Sequence, residues 1–384
     1  MLSLDDVALF RHFPGLRSGL PWVRLGYWPT PVEPIFGLPG ARVPVYVKRD
    51  DRSSPRYGGN KVRTLESILG RAIEFGAERV WATGAYGSNH ATATVMHAGA
   101  ADLDAGVALF PQLPSSPARA NLSAILAARV PVETMRSVVE LPWVMARLHR
   151  QEPGDFVMPP GAASPRGALG AVSAGLELAE QIAGGECPAP ARIVLAVGST
   201  CTTAGLLVGL HLAGALGIGF GRTAPVPRVT AVRVTPWPVT SRLRIAHLAR
   251  RTAQYTARLT GVQLPSLARL YATLTVDRRY LGSGYGRTTA AGWRAIHAFK
   301  RSHGPPLDVV YSAKSGAALL DFARSSRRGP LLFWATKSSA PLPQAGDPEL
   351  AAAPQPLRDW LLGPGYLDFT SSAAGSAATS AFPL

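Results

Sequence analysis

The stretch IVLAVGSTCTTAGLLVGLHLAGALGIGF, residues 193–220, contains no Asp, Glu, Lys or Arg, and its length alone would let it cross a bilayer. Its internal order points elsewhere. Ile193 to Val197 is a short β-branched run, Gly198 to Thr203 is polar and turn-forming, and Ala204 to Leu216 has the length and composition of an apolar helix. Strand, turn and buried helix in that order form one unit of an α/β fold. Such a unit places a polar turn at the carboxyl end of a strand, where open α/β sheets bind ligands.

The same grammar extends in both directions. Strands are expected at Val43–Lys48, Arg79–Thr83, Gly106–Phe110, Val229–Val234, Val309–Val310 and Leu331–Trp334. Helices are expected at Lys61–Phe75, Asn89–Ala100, Ala118–Ala128, Gly167–Ala183, Thr288–Ser302 and Gly316–Arg324. Alternation of this kind implies β-α-β units and mostly parallel sheets covered by helices. So many strands would make one sheet unusually wide, so two sheets are expected. From Ala345 onward the pattern weakens, and the terminal SSAAGSAATSAFPL is a small-residue tail expected to be poorly ordered at its end.

At 384 residues, with 47% hydrophobic and 17% charged residues, the chain has the composition of a globular protein long enough for two domains. The formal charge of +16 would attract polyanions. That excess is arginine scattered along the chain, however, with no basic block interleaved with aromatics, so nucleic acid is not an expected partner. Cys187 and Cys201 are the only cysteines, too few for a disulfide scaffold and without metal-ligand spacing. No metal is expected. The N-terminal MLSLDDVALFRHFPG lacks the basic start and long apolar run of an export signal, which fits a cytoplasmic location.

Chemistry is concentrated where polar turns meet helix starts. In KRDDRSSPRYGGNKVRTLE (48–66), two glycines lead into Asn60-Lys61 just as a helical pattern begins. The helix dipole there disfavours an ammonium and welcomes an anion. A lysine that must lose its charge to attack an aldehyde needs such a site, although a solvated turn lysine would look the same. Thr83-Gly-Ala-Tyr-Gly-Ser88-Asn89-His90 follows a strand and opens a helix. Gly198-Ser199-Thr200-Cys201-Thr202-Thr203 repeats that arrangement and offers backbone N–H groups and hydroxyls as a phosphate cradle, with ordinary helix capping as the plain alternative.

Eight motifs in order extend this reading: WPTPVEP (28–34), YVKRDD (46–51), GGNKVRTLE (58–66), TGAYGSNHATAT (83–94), GSTCTTAGLLVGL (198–210), GSGYGR (282–287), VVYSAKSGAALLD (309–321) and LLFWATKSSAPL (331–342). Over residues 28–342 the chain resembles the pyridoxal 5′-phosphate (PLP) enzymes of the tryptophan-synthase β fold, fold type II. The resemblance is to the branch of D-cysteine desulfhydrase and 1-aminocyclopropane-1-carboxylate (ACC) deaminase. It implies two α/β domains, each a mostly parallel twisted sheet flanked by helices, with the cofactor in the cleft between them. Residues 1–62 and 178–345 would form the larger, PLP-binding domain, 63–177 the smaller, and 346–384 a tail.

The resemblance also implies roles. Lys61 would hold PLP as a Schiff base and then move the substrate Cα proton. Asn60, Asn89, Gly198, Ser199, Thr200, Cys201, Thr202 and Ser312 would bind the cofactor, Asn89 at its phenolate oxygen and Ser312 facing the pyridine nitrogen. Ser88, Asn89, His90, Tyr285 and Thr336 would border the substrate, with Ser88, Tyr285 and Tyr311 assisting catalysis. A homodimer acting on a small amino acid is expected, without nucleic acid or membrane as partner.

Two departures stand out. The usual Gly-Ser-Gly-Gly-Thr of the phosphate loop is here Gly198-Ser199-Thr200-Cys201-Thr202, and the family's paired glycines near the end of the match are replaced in WATKSSAPL, where Lys337 looks like an insertion beside Ser338 and Ser339. A hydroxyl at Ser312 cannot keep the pyridine nitrogen protonated as a carboxylate does in ACC deaminases, which suits elimination or replacement at the β-carbon. The expected activity is therefore α,β-elimination of the D-cysteine desulfhydrase kind, releasing pyruvate and ammonia. ACC deamination, β-replacement and a non-catalytic PLP-binding relative are the alternatives.

Overall fold

The computed structural model describes residues 3–220 and 224–363. Ten strands form two sheets: β1 (Val32–Ile35), β2 (Val45–Lys48), β3 (Arg79–Ala85), β4 (Asp104–Phe110), β5 (Val132–Thr134), β6 (Phe156–Val157), β7 (Arg192–Val197), β8 (Arg228–Arg233), β9 (Leu274–Asp277) and β10 (Leu331–Trp334). The six-stranded sheet has the order β1-β2-β10-β7-β8-β9 and the four-stranded sheet β5-β4-β3-β6. All neighbours are parallel except β1, which runs antiparallel along one edge with Val32 opposite Lys48.

The charge-free stretch resolves as strand, turn and helix. Ile193 to Val197 are buried in β7, and the Cys201–Leu216 helix is buried over most of its surface, so an apolar composition on every side is what its position requires. It crosses the Pro165–Ala183 helix at close range. A Cβ on Gly205 would come within 2.3 Å of the Ala168 carbonyl oxygen and one on Gly209 within 2.2 Å of that of Val172, so glycine is what lets the two backbones meet. Among the described residues no helix is long and apolar enough to cross a membrane.

Between the larger sheet and the helices packed on it, a set of paired charges fixes the Asn60–Phe75 helix. Arg63 bonds Asp50 (2.7 Å) and Glu177 (2.9 Å), Lys48 reaches Glu177 at 2.5 Å, and Trp334 Nε1 donates to Asp50 Oδ2 at 2.7 Å. All five side chains are buried. The paired cations hold the Glu177 carboxyl far below the usual carboxylate range, against the opposing effect of burial. One turn further on, Glu66 accepts from the indole N–H groups of Trp22 and Trp28 and from the backbone N–H groups of Leu25 and Gly26, while pairing with Arg24.

Three expectations need correction. Val309 and Val310 form no strand; they lie in a turn organised by Asp308, whose Oδ1 accepts from the N–H groups of Val310 (2.9 Å) and Tyr311 (2.7 Å). The following helix is Ser312–Ser325, starting a full turn before Gly316. The stretch beyond Ala345 holds two helices, Asp347–Ala352 and Gln355–Leu362, the second placing Trp360 edge-on to Tyr86 at 5.5 Å. The small-residue end of the tail lies outside the described residues.

Candidate active site

The site gathers around the N-terminus of the Asn60–Phe75 helix. Gly59 enters it with φ +92°, forms an isolated antiparallel bridge with Lys337, and lies so close to β10's extension that a Cβ would stand 2.6 Å from the Thr336 carbonyl oxygen. That carbonyl accepts from Asn60 N–H at 3.1 Å. The next two side chains reach the 198–203 turn: Asn60 Nδ2 donates to Thr202 Oγ1 (2.7 Å) and Lys61 Nζ to Ser199 Oγ (3.0 Å). Burial pulls the Lys61 amine below its ordinary value. The turn itself is tight, with Thr200 in the left-handed region at φ +70°, and the Cys201 thiol faces the Ala162 carbonyl oxygen at 3.5 Å. Gly198 is held by the Thr240 hydroxyl on its carbonyl oxygen at 2.5 Å.

The 83–90 loop forms the opposite wall. Ser88 Oγ accepts from Ala91 N–H at 3.2 Å, so this side chain caps the Asn89–His97 helix. Asn89 Oδ1 accepts from Tyr57 Oη (2.9 Å) and Asn121 Nδ2 (2.7 Å). His90 is buried with neither ring nitrogen hydrogen-bonded, and burial with the nearby Lys61 charge pushes its pKa down to about 3. A third wall comes from the other end of the chain, where the Tyr285 and Tyr311 hydroxyls share a 2.6 Å hydrogen bond. Lys314 Nζ donates to the carbonyl oxygens of Leu281 (2.8 Å) and Gly284 (3.1 Å), pinning the turn that presents Tyr285.

Where the second and third of these walls meet lies a small, partly open cavity of about 10 Å³, room for roughly one water, bordered among others by Asn89, Asn121, Tyr285, Asp308, Tyr311 and Lys337. Lys61, Asn60, Ser199 and Thr202 thus meet at one helix start, and Asn89, Tyr285 and Tyr311 meet at the cavity. Thr336 contributes its backbone. Ser312 Oγ donates to Asp308 Oδ2 and accepts from Asp308 N–H, both at 2.6 Å, so the hydroxyl is turned toward its own loop. Sequence reasoning missed Tyr57, Asn121, Asp308, Lys314 and Gly161. Gly161, at φ +64°, faces Ser199 so closely that a Cβ would sit 2.3 Å from Ser199 Cβ.

A family model described as "Pyridoxal-phosphate dependent enzyme" matches residues 23–336. The chain belongs to the pyridoxal-phosphate dependent enzymes. Within that family it is similar to nocardicin C-9′ epimerase of Nocardia uniformis subsp. tsuyamanensis, 32% identical over 329 residues that cover 84% of this chain and 94% of the relative. D-cysteine desulfhydrase of Salmonella paratyphi C is 30% identical, covering 79% and 90%. A putative ACC deaminase of Pyrococcus horikoshii is 32% identical, covering 83% and 92%. The crystal structure of an ACC deaminase homologue superposes with a TM-score of 0.70 at 28% identity, over 92% of this chain and all of that one. The chain is thus a PLP enzyme of fold type II in the ACC deaminase and D-cysteine desulfhydrase group. Its residues suit the cofactor: an enclosed amine with a single hydroxyl partner adjoins a tight turn at a helix N-terminus, beside a buried imidazole with both nitrogens unpartnered.

Proposed function

We propose that the protein is a lyase that eliminates the β-substituent of a small amino acid, in the manner of a D-cysteine desulfhydrase, with release of pyruvate and ammonia. Bound at this site, PLP would supply the electron sink that acidifies the substrate Cα–H. Lys61 would hold the cofactor and then take the Cα proton as the β-substituent departs with its bonding pair, leaving that proton available to the departing group, a role favoured by an amine kept below its ordinary pKa by burial. The N–H groups and hydroxyls of the 198–203 turn would receive the phosphate, steadied by the Asn60–Thr202 bond. Asn89, oriented by Tyr57 and Asn121, would bond the phenolate oxygen. Ser88, His90 and the Tyr285–Tyr311 pair would border the substrate.

The observation that carries elimination over cyclopropane opening is the state of Asp308. Each of its oxygens is occupied twice, Oδ1 by Val310 and Tyr311 N–H and Oδ2 by the N–H and hydroxyl of Ser312. Its carboxylate is closed on its own loop, and Ser312, which the resemblance sets where an ACC deaminase has a carboxylate, would bring no charge to the pyridine nitrogen. The expected result is pyruvate from D-cysteine or a related amino acid with a β leaving group, and little or no 2-oxobutanoate from ACC. Robust ACC turnover by the wild type would overturn the preference. A second reading, inversion at Cα, is favoured by the hydroxyl pair of Tyr285 and Tyr311, a proton-bearing pair separate from Lys61. Solvent deuterium incorporated at Cα with inversion and without keto-acid release would establish it.

A further inference from the structure

Lys337 borders the cavity of the candidate active site, and among the described residues no carboxylate touches it. Its Nζ donates to Tyr57 Oη and to Asn121 Oδ1, each at 3.2 Å, and lies 5.2 Å from the centre of the Tyr57 ring. An ammonium has three donors, and neutral oxygens take two of them. Among the described residues no carboxylate comes within 4.0 Å of it. Asp308 borders the same cavity, but both of its oxygens are spent on residues 310–312. Withdrawing a cation from water without pairing it is costly, and the cost is visible as a pKa pushed down to about 8 by burial, against the pull of Asp308.

The phosphate cradle lies elsewhere. Residues 198–203 supply none of the cavity's walls, and the Thr202 and Ser199 hydroxyls accept from Asn60 and Lys61. An anion arriving in this cavity would find the third Lys337 donor and the Tyr285–Tyr311 hydroxyls. We infer that Lys337 receives a carboxylate of the amino-acid substrate and selects for that charge. This rests on the reading of the site as one for an amino acid, not on elimination. The carboxylate is either the α-carboxylate common to all amino acids or a second one on the side chain.

The test titrates the holoenzyme, wild type and Lys337→Met, with each enantiomer of alanine, alaninamide and aspartate, following the visible absorption of the bound cofactor. With the α-carboxylate as partner, the wild type binds alanine about tenfold or more tighter than alaninamide, and the variant loses most of that ratio. With a side-chain carboxylate, the ratio that collapses is aspartate over alanine. Lys337→Arg keeps the charge and should retain whichever preference the wild type shows; it also serves if the methionine variant does not fold. The inference is overturned if both ratios survive in Lys337→Met within about twofold, or if that variant instead loses the cofactor, which would make Lys337 a cofactor ligand. A wild-type spectrum that responds to none of the compounds overturns the amino-acid reading itself, a different failure.

Discussion

Arg63 and Lys61 are two residues apart on one helix and face opposite circumstances. Behind the helix, Lys48, Glu177, Arg63 and Asp50 form a chain in which each buried charge touches its opposite. In front of it, Lys61 has a hydroxyl, Lys337 a phenol and an amide oxygen, and Lys314 two backbone carbonyls, with no carboxylate among the described residues in contact. Charges that belong to the fold have been neutralised by the fold. Those in front are held by neutral oxygens, which orient a cation without satisfying it, and so an anionic ligand gains by arriving.

The contrast predicts opposite outcomes for the same substitution at neighbouring positions. Lys61→Met should abolish the visible absorption of bound PLP and reduce turnover by at least about a thousandfold. The unfolding free energy of the cofactor-free protein, followed by urea denaturation, should stay level or rise. Loss of stability there would mean that Lys61 is a structural residue after all. Arg63→Met should act in the reverse sense, destabilising by about 3–5 kcal/mol because Asp50 and Glu177 are left buried without their cation. Wild-type stability in that variant would break the comparison.

A smaller effect follows from His90. Its folded pKa lies near 3, below its ordinary 6.5, because burial excludes the imidazolium. Between those values the unfolded chain binds the proton and the folded one does not, so stability falls as pH falls below about 6.5. From pH 6.5 to 5 this amounts to roughly 1.6 kcal/mol. His90→Gln should flatten that part of the stability profile in urea melts of the cofactor-free protein. A slope unchanged by the substitution would assign the pH dependence to other groups, His97 and His211 first, whose pKa values are also lowered by burial.

How much of this was legible before the structure depended on range. Glycine and hydroxyl residues next to a helical period are local signals, and they draw the eye to Lys61 and the 198–203 turn, but a solvated lysine and ordinary helix caps look the same, and only eight motifs in order gave those positions a role. The same locality misled at Val309-Val310, where two β-branched residues look like a strand unless the preceding aspartate is recognised as the cap of a turn. In the Arg242–Thr260 helix the stripe of Ile245, Leu248, Ala249, Thr252 and Ala253 has helical spacing, but the surrounding arginines dilute it. The paired charges behind the helix had no sequence signature, since Glu177 meets Lys48 and Arg63 only after two helices have packed. Lys337 looked like an interruption of a motif; its meaning depends on Tyr57 and Asn121, which the fold brings to it from distant parts of the chain.

The position of β10 in the larger sheet also orders events in time. It lies between β2 and β7 and is hydrogen-bonded to both, yet among the described residues it is the last strand in chain order. The four-stranded sheet, by contrast, is drawn wholly from residues 79–157. A ribosome that has released residue 157 has released everything the smaller sheet needs. The larger one stays split into two halves, β1-β2 and β7-β8-β9, until Leu331–Trp334 emerges and slides between them, so Lys61 and Ser199, carried by different halves, are joined within one sheet only once that strand is made.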